Sequence, residues 1–286
     1  MIQSMTGFGK ASLQLPTKKI TVEIKSLNSK GLDLNTRMPS VFREMELGLR
    51  NQISQRLERG KVDFSLYVEV TGEETTSKIN VPIVKGYINQ MKAVIPNADE
   101  TELMKMAVRM PDALKTERDE IDENEWKQIQ TVIDEALENI ANFRKDEGAS
   151  LEKEFQLRIG NINNLMNEAV SYDAERVETV KTRLRTALDE LKVNVDENRF
   201  EQELIFYLEK YDITEEKVRL GNHLSYFLET LNGTEANGRK LGFITQEMGR
   251  EINTMGSKSN HTEMQKLVVM MKDELEKIKE QVLNVL

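Results

Sequence analysis

The chain has 286 residues, 38% hydrophobic and 31% charged, with five prolines and no cysteine. That length suffices for one large domain or two medium ones, and the lack of cysteine excludes disulfides, thiolate catalysis and thiolate zinc sites. No apolar run approaches the roughly 18–20 residues that span a bilayer, and the N-terminus lacks an apolar signal core. We therefore expect a helix-rich cytoplasmic protein with no membrane partner.

The charge is distributed unevenly along the chain. The net charge is −9, yet residues 1–70 carry 11 Lys and Arg against 7 Asp and Glu, a net of +4, which leaves −13 for the rest. This asymmetry permits a basic groove on an acidic body, which assembly into a ring would concentrate. Random scatter of surface charge explains it equally well.

The first 70 residues predict a small sheet with one helix. "ASLQL", "KKITVEIKSLN" and "KVDFSLYVEV" alternate apolar and polar residues as half-buried strands do. Between them, "VFREMELGLRNQISQRLERG" has apolar residues at helical spacing, and Gly60 is placed to end that helix. A strand–strand–helix–strand order predicts a sheet with the helix packed on one face.

The remainder of the chain predicts helices. Residues 80–110 are typical of short helices, and about 123–193 of long amphipathic helices that pair with each other or with another subunit. The last 90 residues predict helices at 196–210, 213–231, 237–255 and 262–284. The expected fold class is α+β: a small N-terminal sheet with its helix, long central helices and a helical C-terminal domain. The expected divisions are 1–155, a connector at 156–199, and 200–286.

The segment "YDITEEKVRLGNH" holds a first candidate constellation. At 100° per residue, Asp212, Glu216, Arg219 and His223 fall within about 40° of one meridian. Thr214 is predicted to cap the helix, which would place Asp212 just before it. Two carboxylates, a guanidinium and an imidazole suit a site, but acids early and bases late also suit the helix dipole.

A second constellation lies around "GREINTMGSKSN". Glu247 and Glu251 share a face, and the helix is predicted to break at Gly256. Paired carboxylates bind Mg²⁺ or Mn²⁺, which activate water and offset charge in phosphodiester chemistry. Arg239 and Lys240 open the same helix, an unfavourable place for cations unless an anion binds there. Salt bridges on a solvated face are the structural alternative.

The motifs together resemble one family. "SMTGFGKA", "EIKSLNSKGLDLNTRMP", "RLERGKVDF" and "FRKDEGASL" are similar to the N-terminal signatures of the YicC/YloC family. "DITEEKVRLGNH", "GRKLGFITQEMGREINTMGSKSN" and "ELEKIKEQVLN" are similar to its C-terminal (DUF1732) signatures. The resemblance implies a bacterial, cytoplasmic, metal-dependent endoribonuclease that assembles as a hexamer around RNA.

The two constellations and the resemblance together give the candidate residues, all of which match the family pattern except Lys30, which stands where the family usually has Arg. The catalytic candidates are Glu247, Glu251, His223, Arg250 and Lys258. The candidate ligands for Mn²⁺ or Mg²⁺ are Asp212, Glu216, Glu247, Glu251 and His223. The RNA-binding candidates are Arg219, Arg239, Lys240, Asn253 and Ser257, with Arg37, Lys30 and Arg59 as weaker ones. Gly242 and His261 depart from the family pattern, which usually has Asp at both positions.

Three functions compete at this point. The leading one is a metal-dependent endoribonuclease in an oligomeric ring. The second is a scaffold without chemistry that presents RNA to another ribonuclease, and the third is a structural helical oligomer. Because no basic motif is interleaved with aromatic residues, we expect recognition of RNA shape and backbone rather than of bases.

Overall fold

The computed structural model describes residues 2–71, 78–115, 123–190, 196–233 and 238–286. Its N-terminal part is a four-stranded sheet of β1 (Gly7–Gln14), β2 (Lys18–Leu27), β3 (Leu32–Arg37) and β4 (Gly60–Val70). The strand order is β1-β2-β4-β3, with β3 parallel to β4 and the other neighbours antiparallel. A 3₁₀ helix (Ser40–Met45) and helix α1 (Glu46–Arg56) connect β3 to β4. The predicted sheet with its helix is confirmed, but the predicted strand–strand–helix–strand order lacked β3, which precedes the helix.

Alternation along the strands builds the first core. Every second residue of β2 and β4 is buried, including Ile24 and Phe64, and these side chains face α1 and the first part of a long helix. The intervening residues face away from the helices. Gly60, predicted to end α1, instead opens β4 with φ at 128°, a backbone conformation that favours glycine.

A small unit follows the sheet. It contains α2 (Val81–Val94), α3 (Glu100–Ala107) and a short ribbon of β5 (Lys78–Ile79) with β6 (Leu114–Lys115). Its own core is small and centres on Val84, Ala107 and Ala113.

Helix α4 (Glu123–Ser171) is 49 residues long and serves two cores. Its first part, around Ile133 and Ile140, packs on the sheet, whereas its later part, around Phe155 and Ile162, packs with the C-terminal helices. The remaining helices are α5 (Asp173–Glu190), α6 (Glu197–Lys210), α7 (Thr214–Leu231), α8 (Gly238–Lys258) and α9 (Thr262–Val282). The predicted boundary after residue 155 lies within α4, and the three-part division stays a prediction.

Two helix ends differ from the sequence prediction. The long central segment divides at Tyr172 into α4 and α5. Helix α8 does not break at Gly256 but continues to Lys258, because this glycine lies where α8 meets α9 and a Cβ there would come within 3.0 Å of Val268. Within the described ranges, no helix combines the length and apolarity that crossing a membrane requires.

The two cores meet at Arg144 and Gly148 of α4. Arg144 is buried, and its Nη2 donates to the carbonyl oxygens of Met5 and Arg59 at 3.2 and 3.1 Å and to the Ser26 hydroxyl. Burial lowers the pKa of this guanidinium. Four N-terminal motifs thus converge on one side chain, which joins β2, β4 and the N-terminal segment to α4.

Candidate active site

Asp212 forms the entry to α7. Its Oδ1 accepts hydrogen bonds from the Thr214 backbone N at 3.0 Å and hydroxyl at 2.7 Å. These bonds, the hydroxyl one foremost, lower the pKa of Asp212 and keep it ionised. Thr214 is therefore the first residue of the helix rather than its cap, and Asp212 supplies the capping oxygen.

Lys258 links the end of α8 to the start of α7. Its Nζ donates to the Asp212 carbonyl oxygen at 2.9 Å and to Oε1 of Glu216 at 2.8 Å. Glu216 is only 5% exposed, so this ion pair is largely removed from water. The contact exists because α8 continues through Gly256, which carries Lys258 across to α7.

A second cation fixes the same turn. Arg176 of α5 is buried, donates through Nη1 to the Tyr211 carbonyl oxygen and pairs with Asp173 Oδ1 at 2.6 Å. Because Tyr211 ends α6, this carbonyl belongs to the electronegative end of a helix, where a cation is favourable. Helices α5 and α8 thus hold the 211–212 turn from two sides.

Two carboxylates in this region have unused hydrogen-bonding capacity. Glu216 Oε2 is buried and has no hydrogen-bond partner among the described residues. Glu251 of α8 is 9% exposed and forms neither a hydrogen bond nor an ion pair with any described residue. Buried carboxylates normally have partners, so both can accept a ligand.

Other predicted site residues form local pairs on the helix surfaces. Glu247 accepts from Arg250 Nη1 at 2.7 and 3.0 Å, and Arg219 pairs with Glu215 one turn earlier on α7. Arg219 and Arg250 are exposed, and His223 is half-buried. The structure therefore supports the salt-bridge interpretation for these pairs, while their cations remain accessible to a phosphate.

The end of α8 is held by hydrogen bonds. The Ser257 hydroxyl donates to the Thr254 carbonyl at 2.8 Å, and Gln265 of α9 donates to the Ser259 carbonyl at 2.7 Å. His261 caps α9 by accepting from the Met264 backbone N at 3.5 Å, and its ring stacks on Tyr172. His261 therefore has a local structural role at the start of α9.

The predicted RNA-binding residues fall in separate places. Lys240 lies over the Tyr226 ring at 4.7 Å, and Arg239 is exposed beside it; Asn253 is exposed on α8. Lys30 and Arg59 belong to the loops near the sheet, where Arg59 donates to the Ser29 carbonyl at 2.8 Å. Arg37 ends β3. The structure groups Asp212, Glu216 and Lys258 but separates the N-terminal candidates from them.

The five proposed metal ligands do not form one cluster in a single chain. Among the described residues, no three Asp, Glu or His side chains are grouped to hold a metal ion. Magnesium sites at phosphates commonly use only one or two carboxylates, with waters and phosphate oxygens completing the shell. Glu216, with its buried unpartnered oxygen, and Glu251 fit that kind of site.

The comparisons with known proteins identify the family. The family model described as "Endoribonuclease YicC-like, N-terminal region" matches residues 2–153, and the corresponding C-terminal model matches 169–286. The chain belongs to the YicC-like family. A relative from Clostridioides difficile, named "Probable endoribonuclease YicC", is 33% identical over the whole length of both chains. A Haemophilus influenzae relative of the same name is 29% identical over 99% of both chains.

Sequence reasoning missed the buried arginines of this YicC-like chain. Arg144 and Arg176 lie in amphipathic helices with many charged residues, and helical spacing alone does not separate a buried guanidinium from a solvated one. A usable signal for Arg144 was its place within "FRKDEG", one of the motifs that carried the resemblance. No comparable signal marks Arg176.

Proposed function

We propose that this YicC-like protein is a metal-dependent endoribonuclease that cleaves RNA at the α7–α8 face. The observation that carries this proposal is that Glu216 of α7 and Glu251 of α8 are both buried: Glu216 has one oxygen without a hydrogen-bond partner, and Glu251 has no partner among the described residues. The two relatives named as probable endoribonucleases, similar over the full chain, support it.

The neighbouring side chains suit a phosphodiester substrate. Arg219 and Arg250 are exposed on the two helices, so their guanidinium groups can hold the phosphate flanking the scissile bond and stabilise developing negative charge. His223 on α7 is half-buried and is our candidate for moving a proton to or from a ribose or water oxygen.

Glu216 and Glu251 would hold a divalent cation, Mn²⁺ or Mg²⁺. When bound, such a cation supplies Lewis-acid stabilisation of the phosphate and a more acidic water. Lys258 orients Glu216, since its Nζ is 2.8 Å from Oε1 and leaves Oε2 for a ligand. Asp212 then contributes to the position of α7 through its cap rather than through the cation.

We also propose that copies of the chain assemble in the cytoplasm as a hexameric ring. Helix α6 exposes Ile205 and Phe206, which are 55% and 60% accessible, and of its residues only Phe200 is buried. Apolar surface of this kind is typical of subunit contacts. Sedimentation at micromolar concentration should give a mass well above that of one chain, and a monomer would contradict the ring.

The test of catalysis uses a 5′-labelled hairpin RNA with Mn²⁺, Mg²⁺ or EDTA, resolved on a denaturing gel. We expect the wild type to cleave with a divalent cation only, and Glu251→Gln to be slower by about 100-fold or more, as loss of such a group commonly is. Glu276→Gln, an exposed carboxylate paired with Lys279 on α9, is the matched control and should cleave normally.

A failure of the wild type to cleave RNA would also decide between the candidate functions. Intact RNA in every lane of the wild type, together with a gel shift that weakens as salt rises, would establish the scaffold that presents RNA to another ribonuclease. If the wild type neither binds nor cleaves RNA under any condition, the function that remains is that of a structural helical oligomer.

A further inference from the structure

The face of the N-terminal sheet opposite α4 is open and carries aromatic side chains. Phe8 of β1 and Tyr67 of β4 point away from the core and are 41% and 50% exposed. Both belong to the outward half of the strand alternation, because their neighbours Gly9 and Leu66 are buried. An exposed aromatic ring on a sheet forms a flat apolar surface on which a nucleic-acid base can stack.

The strand register shows that both rings lie on one face of the sheet among polar side chains. Phe8 lies opposite Lys25, whose Nζ is 5.8 Å from the ring centroid, and Tyr67 lies opposite Thr21 on the same strand as Lys25. The two rings are therefore two strands and four residues apart, which at ordinary sheet spacings is about 15–17 Å. That separation suits bases a few nucleotides apart on one extended strand.

The charge of this face differs from that of the whole chain. The outward residues of the four strands include five cations (Lys10, Lys19, Lys25, Arg37, Lys61) and four carboxylates (Glu23, Asp33, Asp63, Glu69), a net of +1, whereas the chain carries −9. Among these residues, Glu23 forms ion pairs with Lys10 at 2.9 Å and with Lys25 at 3.7 Å. The face is thus close to neutral, so an anionic strand meets less repulsion there than the net charge of the whole chain would produce.

A basic pocket lies at the β3 edge of the sheet, where the chain passes from β3 into the 3₁₀ helix. Arg37, which lies opposite Ser65 on the outward side, and Arg43 of the 3₁₀ helix line a pocket of about 410 Å³ together with Ser40 and Glu46. Neither arginine forms an ion pair with a described residue. The Oε1 of Glu46 accepts hydrogen bonds from the Thr36 hydroxyl at 2.6 Å and from Arg50. Two free guanidinium groups beside a hydroxyl suit a phosphate.

We propose that this face binds single-stranded RNA, with bases stacked on Phe8 and Tyr67 and a backbone phosphate held by Arg37 and Arg43. The proposal rests on the proposed function, which supplies RNA as the substrate, and adds a binding platform remote from the α7–α8 face. It also adds base stacking to the recognition of shape and backbone expected from the sequence. Arg43 and the two aromatic residues have no role in cleavage.

The test measures binding of a fluorescein-labelled, 12-nucleotide single-stranded RNA by anisotropy in EDTA, with RNA integrity checked on a gel. Stacking losses of the usual size predict that Phe8→Ala and Tyr67→Ala each weaken binding by roughly 5- to 100-fold. Phe143→Ala, which removes an exposed phenylalanine from α4, should bind as the wild type does. Arg37→Gln and Arg43→Gln should each reduce the slope of log affinity against log salt by about one.

Removing bases from the RNA separates stacking from a structural effect. A 12-mer with abasic positions should lose affinity for the wild type but little further affinity for the Phe8→Ala/Tyr67→Ala variant. Equal binding of intact RNA by this variant and the wild type would overturn the inference and leave cleavage at α7–α8 untouched. A changed sedimentation mass with unchanged RNA affinity would overturn it too, since the face would then be a contact between copies. Weaker binding by the variants in a protein that never cleaves RNA would support the platform and refute the nuclease.

Discussion

In the core shared by the sheet and α4 the buried charge is a cation, Arg144, whereas the C-terminal helices bury two carboxylates, Glu216 and Glu251, besides the cation Arg176 that holds the 211–212 turn. Arg144 donates through Nη2 to three oxygen atoms of its own chain, two of them backbone carbonyls, and its Nε is buried without a partner among the described residues. Glu216 keeps one buried oxygen without a partner, and Glu251 has no partner among the described residues.

The comparison of these two regions distinguishes two reasons why a sequence motif is recognisable, namely assembly of the fold and binding of a ligand. Around Arg144, hydrogen bonds from Nη2 join three other motif segments to α4, so the role of these residues is assembly of the fold. Around Glu216 and Glu251, the unused capacity belongs to carboxylate oxygens, which can accept a cation, and a buried polar group without a partner costs stability. Variants at the first position should therefore lose the fold, and variants at the second should lose activity first.

The largest expected effect is at the junction of the two cores. A Cβ on Gly148 would lie 2.1 Å from the Ile2 carbonyl oxygen, so Gly148→Ala must displace the N-terminal segment and should destabilise the protein by about 3 kcal/mol. Gly160→Ala, on the same helix with no atom within 4 Å of its Cβ, should instead stabilise it by about 0.5–1 kcal/mol. Urea denaturation of both variants measures the contrast, and equal effects would show that the N-terminal contact is not tight.

The next effect concerns the Lys258–Glu216 pair. Lys258→Met leaves the Glu216 carboxylate buried without its cation and should cost about 2 kcal/mol, less than for a fully buried pair because the lysine is 27% exposed. Glu216→Leu combined with Lys258→Met should recover most of that stability, since no buried charge remains. RNA cleavage should stay lost in the double variant. A stable double variant that cleaves at the wild-type rate would make the pair a purely structural contact.

The sequence predicted elements better than contacts. Alternation in "KVDFSLYVEV" predicted β4, and the apolar spacing of the last helix predicted α9, since each pattern reflects one buried face. The predicted C-terminal end of α8 was wrong. Gly256 has a low helix propensity, but its packing against Val268 favours a residue without a side chain at this position of the helix. A helical wheel could not predict the Lys258–Glu216 contact either, because this contact depends on how α7 and α8 pack against each other.

The smallest expected effect is pH-dependent and concerns the cap of α7. The pKa of Asp212 is lowered in the folded protein, chiefly by the Thr214 hydroxyl, so the cap stabilises the fold above the ordinary Asp pKa of about 3.9 and loses this effect as pH falls through the lower, folded value. Asp212→Ala should cost about 1 kcal/mol at pH 7. Thermal melts of the two proteins should converge between about pH 4 and pH 2, whereas Asp212→Asn, which keeps an acceptor oxygen, should lose less at pH 7. A wild-type advantage that persisted undiminished at pH 2 would mean that Asp212 acts through packing rather than through its charge.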